Sequence, residues 1–337
     1  MSDPQAELRA LLAGYWQPQA AVAMARLGLA DAMGDTAQTA AALAGQVGAA
    51  EDHLHRFLRA LAALGLVADR GDGTFALTEM GQRLRGDHAE SLKGMALHVG
   101  TQLAPAMAAL HECVVSGAPP AGIRHGPDGF ADLNTDPAAA AVFNQSMVDN
   151  SRRFAALAAQ AADFTRFATI MDVGGGYGMV LATLLQAAPQ ARGMVLDLPH
   201  ARAGAEALFA AQGVADRAEF VEASFFDPFP CTAHAYVLKY ILHDWDDAHA
   251  LAIVEQVSAA ARASNAPVFV IEKLLPDRVE ATPGHAIAMQ GDMTMMLWNG
   301  RERTQGQFAD LLAHGSLALT ATVPLADNHY LLEARPA

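Results

Sequence analysis

With 337 residues, 52% of them hydrophobic and 17% charged, the chain can bury more than one core and lacks the composition of a disordered protein. Its formal net charge of −14 works against nonspecific binding to nucleic acid or anionic lipid. Two isolated cysteines, Cys113 and Cys231, give neither a disulfide framework nor a zinc spacing. The opening "MSDPQAELRALLAG" lacks a signal-peptide pattern, and the alanine-rich runs are too interrupted to cross a bilayer, so a cytoplasmic protein is expected.

Apolar residues at helical spacing predict helices over 16–33, 36–48 and 50–66, the last presenting Leu54, Phe57, Leu58, Leu61 and Leu64 on one face. The run 66–78 then reads as a hairpin turning at Asp72-Gly73. Three helices and a β-wing make a winged helix, an architecture often used on DNA. Here residues 1–100 carry eight Lys/Arg against eleven Asp/Glu, a net of −3, which is not the basic footprint that DNA requires. The apolar character suits helix packing or dimerisation better. Residues 101–165 read as a helical linker. It is interrupted by the Gly/Pro-rich stretch 116–129 and ends in a long helix over 136–162 begun by Asp136-Pro137.

From 166 to 337 strands and helices alternate. "ATIMDVG", "ARGMVLDL", "RAEFVEA", "HAYVLKYIL" and "APVFVIEKLL" are five apolar runs with helix-like segments between them, the pattern of a parallel sheet covered on both faces. "LALTATVPL" and "NHYLLEARP" are separated only by Ala326-Asp327. That gap is too short for a helical crossover, so the last two strands must pair antiparallel.

The first of these strands runs into "DVGGGYG". A dinucleotide fingerprint needs G-x-G-x-x-G, but Met179 falls on the last position when counted from Gly174, and the register from Gly175 fails at Tyr177 and Val180. What remains is G-x-G-x-G. Asp197 ends the second strand about two dozen residues later, where an acid can accept from both ribose hydroxyls of a nucleoside. An adenosyl group without a pyrophosphate, S-adenosyl-L-methionine, is the candidate ligand.

"DVGGGYG", "LDLPH", "LKYILHDWDD" and "GRERT", in that order, resemble the S-adenosylmethionine-dependent small-molecule O-methyltransferases: the plant caffeate type, their bacterial antibiotic-tailoring relatives and the vertebrate acetylserotonin enzyme. The resemblance covers essentially the whole chain. It implies a Rossmann-like methyltransferase sheet with a C-terminal antiparallel hairpin and an N-terminal helical winged-helix domain that forms a homodimer. It places Gly174 and Gly176 against the methionine part of the cofactor, Asp197 on the ribose, and Leu198, Ser224 and Phe225 around the adenine, with Lys239 also at the cofactor. The family commonly has an acid where this chain has Ser224. Met147, Met289, Met293, Trp298 and Asn299 fall near the substrate, although core packing explains any single methionine as well.

His243 matches the family's general base, and Glu272 and Glu302 match the acids that orient it. On its own a lone histidine reads as structural. What favours the base is its place just past the carboxyl end of a strand, where ligands of open α/β sheets bind. Asp246 and Asp247 read as the acidic first turn of the next helix. No second histidine supplies a metal set, so no metal is expected. The expected function is methyl transfer to a hydroxyl, phenolic for choice, of a small aromatic or polyketide-like molecule, without nucleic-acid or membrane partners. Alternatives are a relative with altered chemistry (C-methylation, or decarboxylation or hydroxylation assisted by the cofactor), a nicotinamide-dependent oxidoreductase, and a winged-helix regulator.

Overall fold

The computed structural model describes residues 3–120, 130, 133 and 135–337, so residues 121–129 of the Gly/Pro-rich stretch lie outside the described residues. The chain divides into two units, Met1–Ala104 and Pro105–Ala337.

In the first unit the helix expected over 16–33 is two helices, Trp16–Arg26 and Leu29–Met33. Gly28 separates them at φ +62°, the left-handed conformation in which helices commonly end and which glycine adopts without penalty. The helix expected over 36–48 starts later, at Ala40–Val47, because Thr39 caps it by accepting from the Ala42 N–H at 3.2 Å. Helix Glu51–Ala63 buries Leu54, Leu58 and Leu61 beside Met24, Leu43 and Phe75, each leucine stabilising the unit by about 2 kcal/mol. The hairpin forms as β2 (Val67–Asp69) and β3 (Thr74–Leu77). The sequence did not signal β1 (Gln38–Thr39), which adds a third strand in the order β1-β3-β2.

In the second unit all seven expected runs are strands: β4 (Thr169–Val173), β5 (Arg192–Asp197), β6 (Ala218–Glu222), β7 (Ala235–Lys239), β8 (Val268–Leu275), β10 (Leu317–Pro324) and β11 (His329–Pro336). Their order is β10-β11-β8-β7-β4-β5-β6. The pairs β4/β5, β5/β6, β4/β7 and β7/β8 are parallel, whereas β11 is antiparallel to both β8 and β10. Side chains alternate between two cores. Met171, Tyr236, Leu238, Val268 and Val270 enter one, and Ile170, Ala235, Val237, Phe269 and Ile271 enter the other. Both faces are therefore dry, which is why these strands read as continuous apolar runs. The two-residue β9 (Arg303–Thr304), too short to leave a pattern, pairs with the end of β8.

Strand order reverses at β4, with β5 and β6 on one side and β7 and β8 on the other. The crevice at the carboxyl end of such a switch point is the ligand position of open α/β sheets. The chain leaves β4 through the glycine loop into helix Met179–Ala187, with Gly178 as its N-cap at φ +79°. A Cβ on Gly178 would sit 2.6 Å from Phe209 and 2.9 Å from Val195. Gly178→Ala therefore combines backbone strain with overpacking and should lower stability by about 2–4 kcal/mol. Urea denaturation measures this, and an unchanged midpoint would contradict the packing described.

Candidate active site

The loop after β4 keeps its backbone in place by continuing the ladder, with the Gly174 N–H donating to Leu196 O at 2.7 Å. Gly174 and Gly176 have φ of +68° and +56°, and a Cβ on Gly174 would come within 2.5 Å of Ile241 and 3.2 Å of Phe225. Asp197, at the end of β5, accepts from the Gly176 N–H and the Leu198 N–H, both at 2.6 Å. Burial raises its pKa. Each carboxylate oxygen keeps a lone pair, so the group can still accept from a pair of vicinal hydroxyls. One step before the loop, Asp172 is 2% exposed and accepts from the Leu181 N–H at 3.2 Å. Burial pushes it up to about 7. An acid within the apolar run "TIMDV" is its only signal in the sequence.

The Ser224 hydroxyl oxygen accepts from the Phe226 N–H at 3.2 Å, so it turns the chain after β6. Phe225 stands edge-on to Phe226 and to Trp245, a buried indole not anticipated from sequence. Lys239, at the end of β7, is buried, and its ammonium has no hydrogen-bond partner among the described residues. It lies 3.5 Å from the centroid of the Tyr240 ring. Burial, reinforced by Lys273, brings its pKa down to about 7 against the pull of Glu272 and Asp172. Positive-φ glycines, an acceptor carboxylate at the next strand end and a buried amine without a hydrogen-bond partner among the described residues fit an adenosyl group carrying an amino-acid tail.

His243 lies in the one-turn segment Leu242–Asp244 after β7 and is 5% exposed. Glu272 of β8 and Glu302, just before β9, both face its Nδ1 at 3.2 Å. Glu272 also accepts from the His243 N–H at 3.3 Å, and Glu302 is itself placed by its N–H donating to Asp292 at 3.0 Å. Carboxylates only accept, so Nδ1 carries the hydrogen and the lone pair of the neutral ring is on Nε2. Nε2 has Asp244 at 3.5 Å. Burial alone would lower the histidine's pKa, but Glu272, Glu302 and Asp244 together outweigh it and raise it to about 9. Burial raises Glu272 to about 7. It pushes the same way on Glu302, where the nearby imidazolium prevails and the pKa falls. The donor atoms of His243, Glu272 and Glu302 lie within 4.8 Å of one another, so this set could also bracket a cation.

The segment 300–303 pins the histidine loop. The Arg301 N–H donates to His243 O at 2.8 Å, and a Cβ on Gly300 would overlap that same carbonyl. Arg303, 1% exposed, donates to Leu242 O at 2.7 Å, to Trp245 O at 3.1 Å and to Asp247 at 2.8 Å. Asp247 lies in the first turn of helix Asp247–Ser264 as expected, whereas Asp246 is its N-cap, accepting from the His249 N–H. Of the residues expected near the substrate, Met147 lies on helix Pro137–Ala161 between Asn144, which abuts Gly176, and Asn150, which reaches Tyr240. This is the i, i+3 spacing of one helix face. Met289 and Met293 are half-buried on helix Pro283–Met296, whose Gly291 and Asp292 flank Glu302. Trp298 packs with Cys113 and Leu297, whereas Asn299 is exposed and donates to Asp246 at 3.4 Å. Losing the guanidinium strands two buried carbonyls, so Arg303→Met should destabilise the protein by about 2–4 kcal/mol. Arg303→Lys should recover only part of that, because an ammonium lacks the fork. Full recovery in a thermal melt would contradict the bracing role.

Residues 110–316 match the model of the O-methyltransferase domain, and residues 10–86 match that of the O-methyltransferase dimerisation domain. The 2,7-dihydroxy-5-methyl-1-naphthoate 7-O-methyltransferase of Streptomyces carzinostaticus is 35% identical over 322 residues, 95% of this chain and 94% of that one. The phenazine O-methyltransferase of Lysobacter antibioticus is 31% identical over 326 residues, 97% of this chain and 94% of that one. Among solved structures, an O-methyltransferase from neocarzinostatin biosynthesis, bound to S-adenosylmethionine and 2-hydroxy-5-methyl naphthoic acid, superposes with a TM-score of 0.77 at 32% identity, covering 95% of this chain and 96% of that one. Sheet order, glycine loop and sequence agree that the chain belongs to the O-methyltransferase family and uses S-adenosyl-L-methionine as its methyl donor.

Proposed function

We propose that His243 is the general base of methyl transfer to a phenolic hydroxyl, with Glu272 and Glu302 holding its ring and balancing the charge it gains. The observation that carries this reading is the convergence of two carboxylates on Nδ1, 3.2 Å from each, which fixes the tautomer and leaves Nε2 to accept the proton. The cofactor supplies a methyl group already activated by its sulfonium, so the protein has to align the acceptor oxygen and take its proton. A phenol of pKa about 10 giving its proton to a histidine at about 9 faces a gap of about 1 kcal/mol, against about 5 for an ordinary imidazole.

In the same proposal Gly174, Gly176 and Lys239 receive the methionine part, Asp197 the ribose, and Leu198, Ser224 and Phe225 the adenine. The acceptor is a flat hydroxylated aromatic, as the naphthoate and phenazine relatives suggest. It would lie against Met147, Met289, Met293 and Trp298, since polarisable thioethers suit ring faces, with Asn299 at the margin. Residues 1–100 would form a homodimer and 101–165 would supply part of the pocket. No helix among the described residues is long and apolar enough to cross a membrane, and we assign the enzyme to the cytoplasm.

His243→Ala should reduce turnover by about 10²–10⁴-fold while calorimetry gives an unchanged affinity for S-adenosylhomocysteine. Wild-type turnover would remove the histidine from the mechanism. Only the neutral imidazole accepts a proton, so the wild-type rate should climb with pH toward a limb near 9. Glu302→Gln deletes one of the charges that hold the imidazolium and should move that limb to lower pH. A limb that stays in place would refute the electrostatic coupling. Full activity after exhaustive dialysis against EDTA is expected; activity lost there and restored by a divalent cation would turn the triad into a metal site.

A further inference from the structure

We propose that Tyr240 and His329 are a positioning pair for His243: the Tyr240 ring walls one face of the imidazole, and His329 holds that ring through the Tyr240 hydroxyl. The inference rests on the reading of His243 as the base. Tyr240 is the first residue after β7 and has φ +59°, a conformation that bulky L-residues rarely adopt. Glycine would take the same turn without strain. An aromatic persists there when its surroundings over-determine it, a pattern concentrated at functional sites. What the strained turn delivers is a ring whose centroid lies 4.8 Å from that of His243, tilted by 31°. The two carboxylates fix the imidazole by its Nδ1 edge, and Tyr240 limits rotation from the face.

The hydroxyl end is tied down with a definite polarity. His329 Nδ1 has the carbonyls of Ala326 at 3.0 Å and Asp327 at 2.9 Å. Carbonyls accept, so Nδ1 carries the hydrogen and Nε2 has the lone pair. Tyr240 therefore donates to His329 Nε2. His329 cannot swing away, because Phe154 stacks on it at 3.6 Å and 18° and its backbone is paired opposite Lys273 in the sheet. The charged groups around the pair are Lys239, Lys273, Glu272, Glu302 and Asp327, and the Asn150 side chain also hydrogen-bonds Tyr240. Burial, with Lys273 next, brings His329 down to about 4. Burial, with Glu272 and Glu302 next, holds Tyr240 well above its ordinary value. His329 is thus neutral above about pH 4 and Tyr240 up to beyond the ordinary tyrosine range, so the brace does not titrate with the base it holds.

The test uses full-length protein labelled with ¹⁵N-histidine and saturated with S-adenosylhomocysteine. The His243 signal is assigned by its disappearance in His243→Ala. Wild type should give a single sharp His243 signal, the imidazolium at neutral pH and the Nδ1–H tautomer once the pH is raised past about 9. Tyr240→Phe keeps the ring but loses the hydrogen bond, and His329→Leu removes the acceptor. Both should broaden or split the His243 signal, and His329→Gln, whose amide oxygen can accept, should restore it. On any acceptor that wild type methylates, the first two variants should lose roughly tenfold in kcat with little change in the KM for S-adenosylmethionine. Sharp, wild-type His243 signals in folded Tyr240→Phe and His329→Leu would overturn the proposal, leaving the pair as a link between strands. Wild-type turnover in His243→Ala would instead sink the base, while the effect of Tyr240 on the His243 signal could still be read.

Discussion

Two buried carboxylates facing one ring nitrogen set the terms for everything around them. Glu272 is fully buried and Glu302 is 2% exposed. Placing one charge there is expensive, and placing two like charges is more so unless a cation or a shared proton lies between them. His243 is that partner. The three groups titrate as a cluster, which raises the histidine and Glu272 together while Glu302 stays ionised. The surroundings are built to hold this arrangement. β8 supplies Glu272, the β9 segment supplies Glu302 and Arg303, and the end of β7 supplies the histidine turn that Arg303 braces through two carbonyls.

Parallel strands covered on both faces leave their polar chemistry at one edge. Because order reverses at β4, the carboxyl ends of β5, β4 and β7 deliver Asp197, the glycine loop and Lys239 side by side, and Glu272, within β8 one residue past the partner of Lys239, lies next to them. The antiparallel β11 then enters beside β8 with His329 opposite Lys273 and Tyr330 opposite Glu272. The terminal hairpin is thus more than a cover for the sheet edge, since it brings a buried histidine to within one tyrosine of the proposed base.

The sequence made the central strands legible because both faces of β4, β5, β7 and β8 are apolar and buried. It exposed the glycine loop, Asp197 and His243 because the loop needs glycine and the others follow strand ends. Other features left no local trace. Gly28 splits a helix whose apolar spacing runs through the break. β1 and β9 have two residues each and exist only through their partners. Arg303 looks like a surface charge in "GRERT", and only the folded chain reveals that its fork is buried against Leu242 and Trp245. Tyr240 and His329 are 89 residues apart, and nothing in either neighbourhood predicts that their side chains meet.

Charge balance explains why the proposed base is surrounded by acids and not left in an apolar pocket. Before transfer the reacting groups carry one positive charge, on the sulfonium. In the proposed reaction they would afterwards carry one positive charge, on the imidazole, because the hydroxyl proton would have moved there while the methyl group passed to the hydroxyl oxygen. The reaction thus carries a charge into the space between Glu272, Glu302 and Asp244. Fixed carboxylates aimed at a position where charge arrives stabilise the transition state more than the ground state, and they need no reorganisation to do so. The same acids keep the ligand-free histidine protonated at neutral pH. A weaker field would free the base at rest and leave it a poorer acceptor at the moment of transfer, so affinity for the arriving proton and readiness to accept it are set against each other by the same two glutamates.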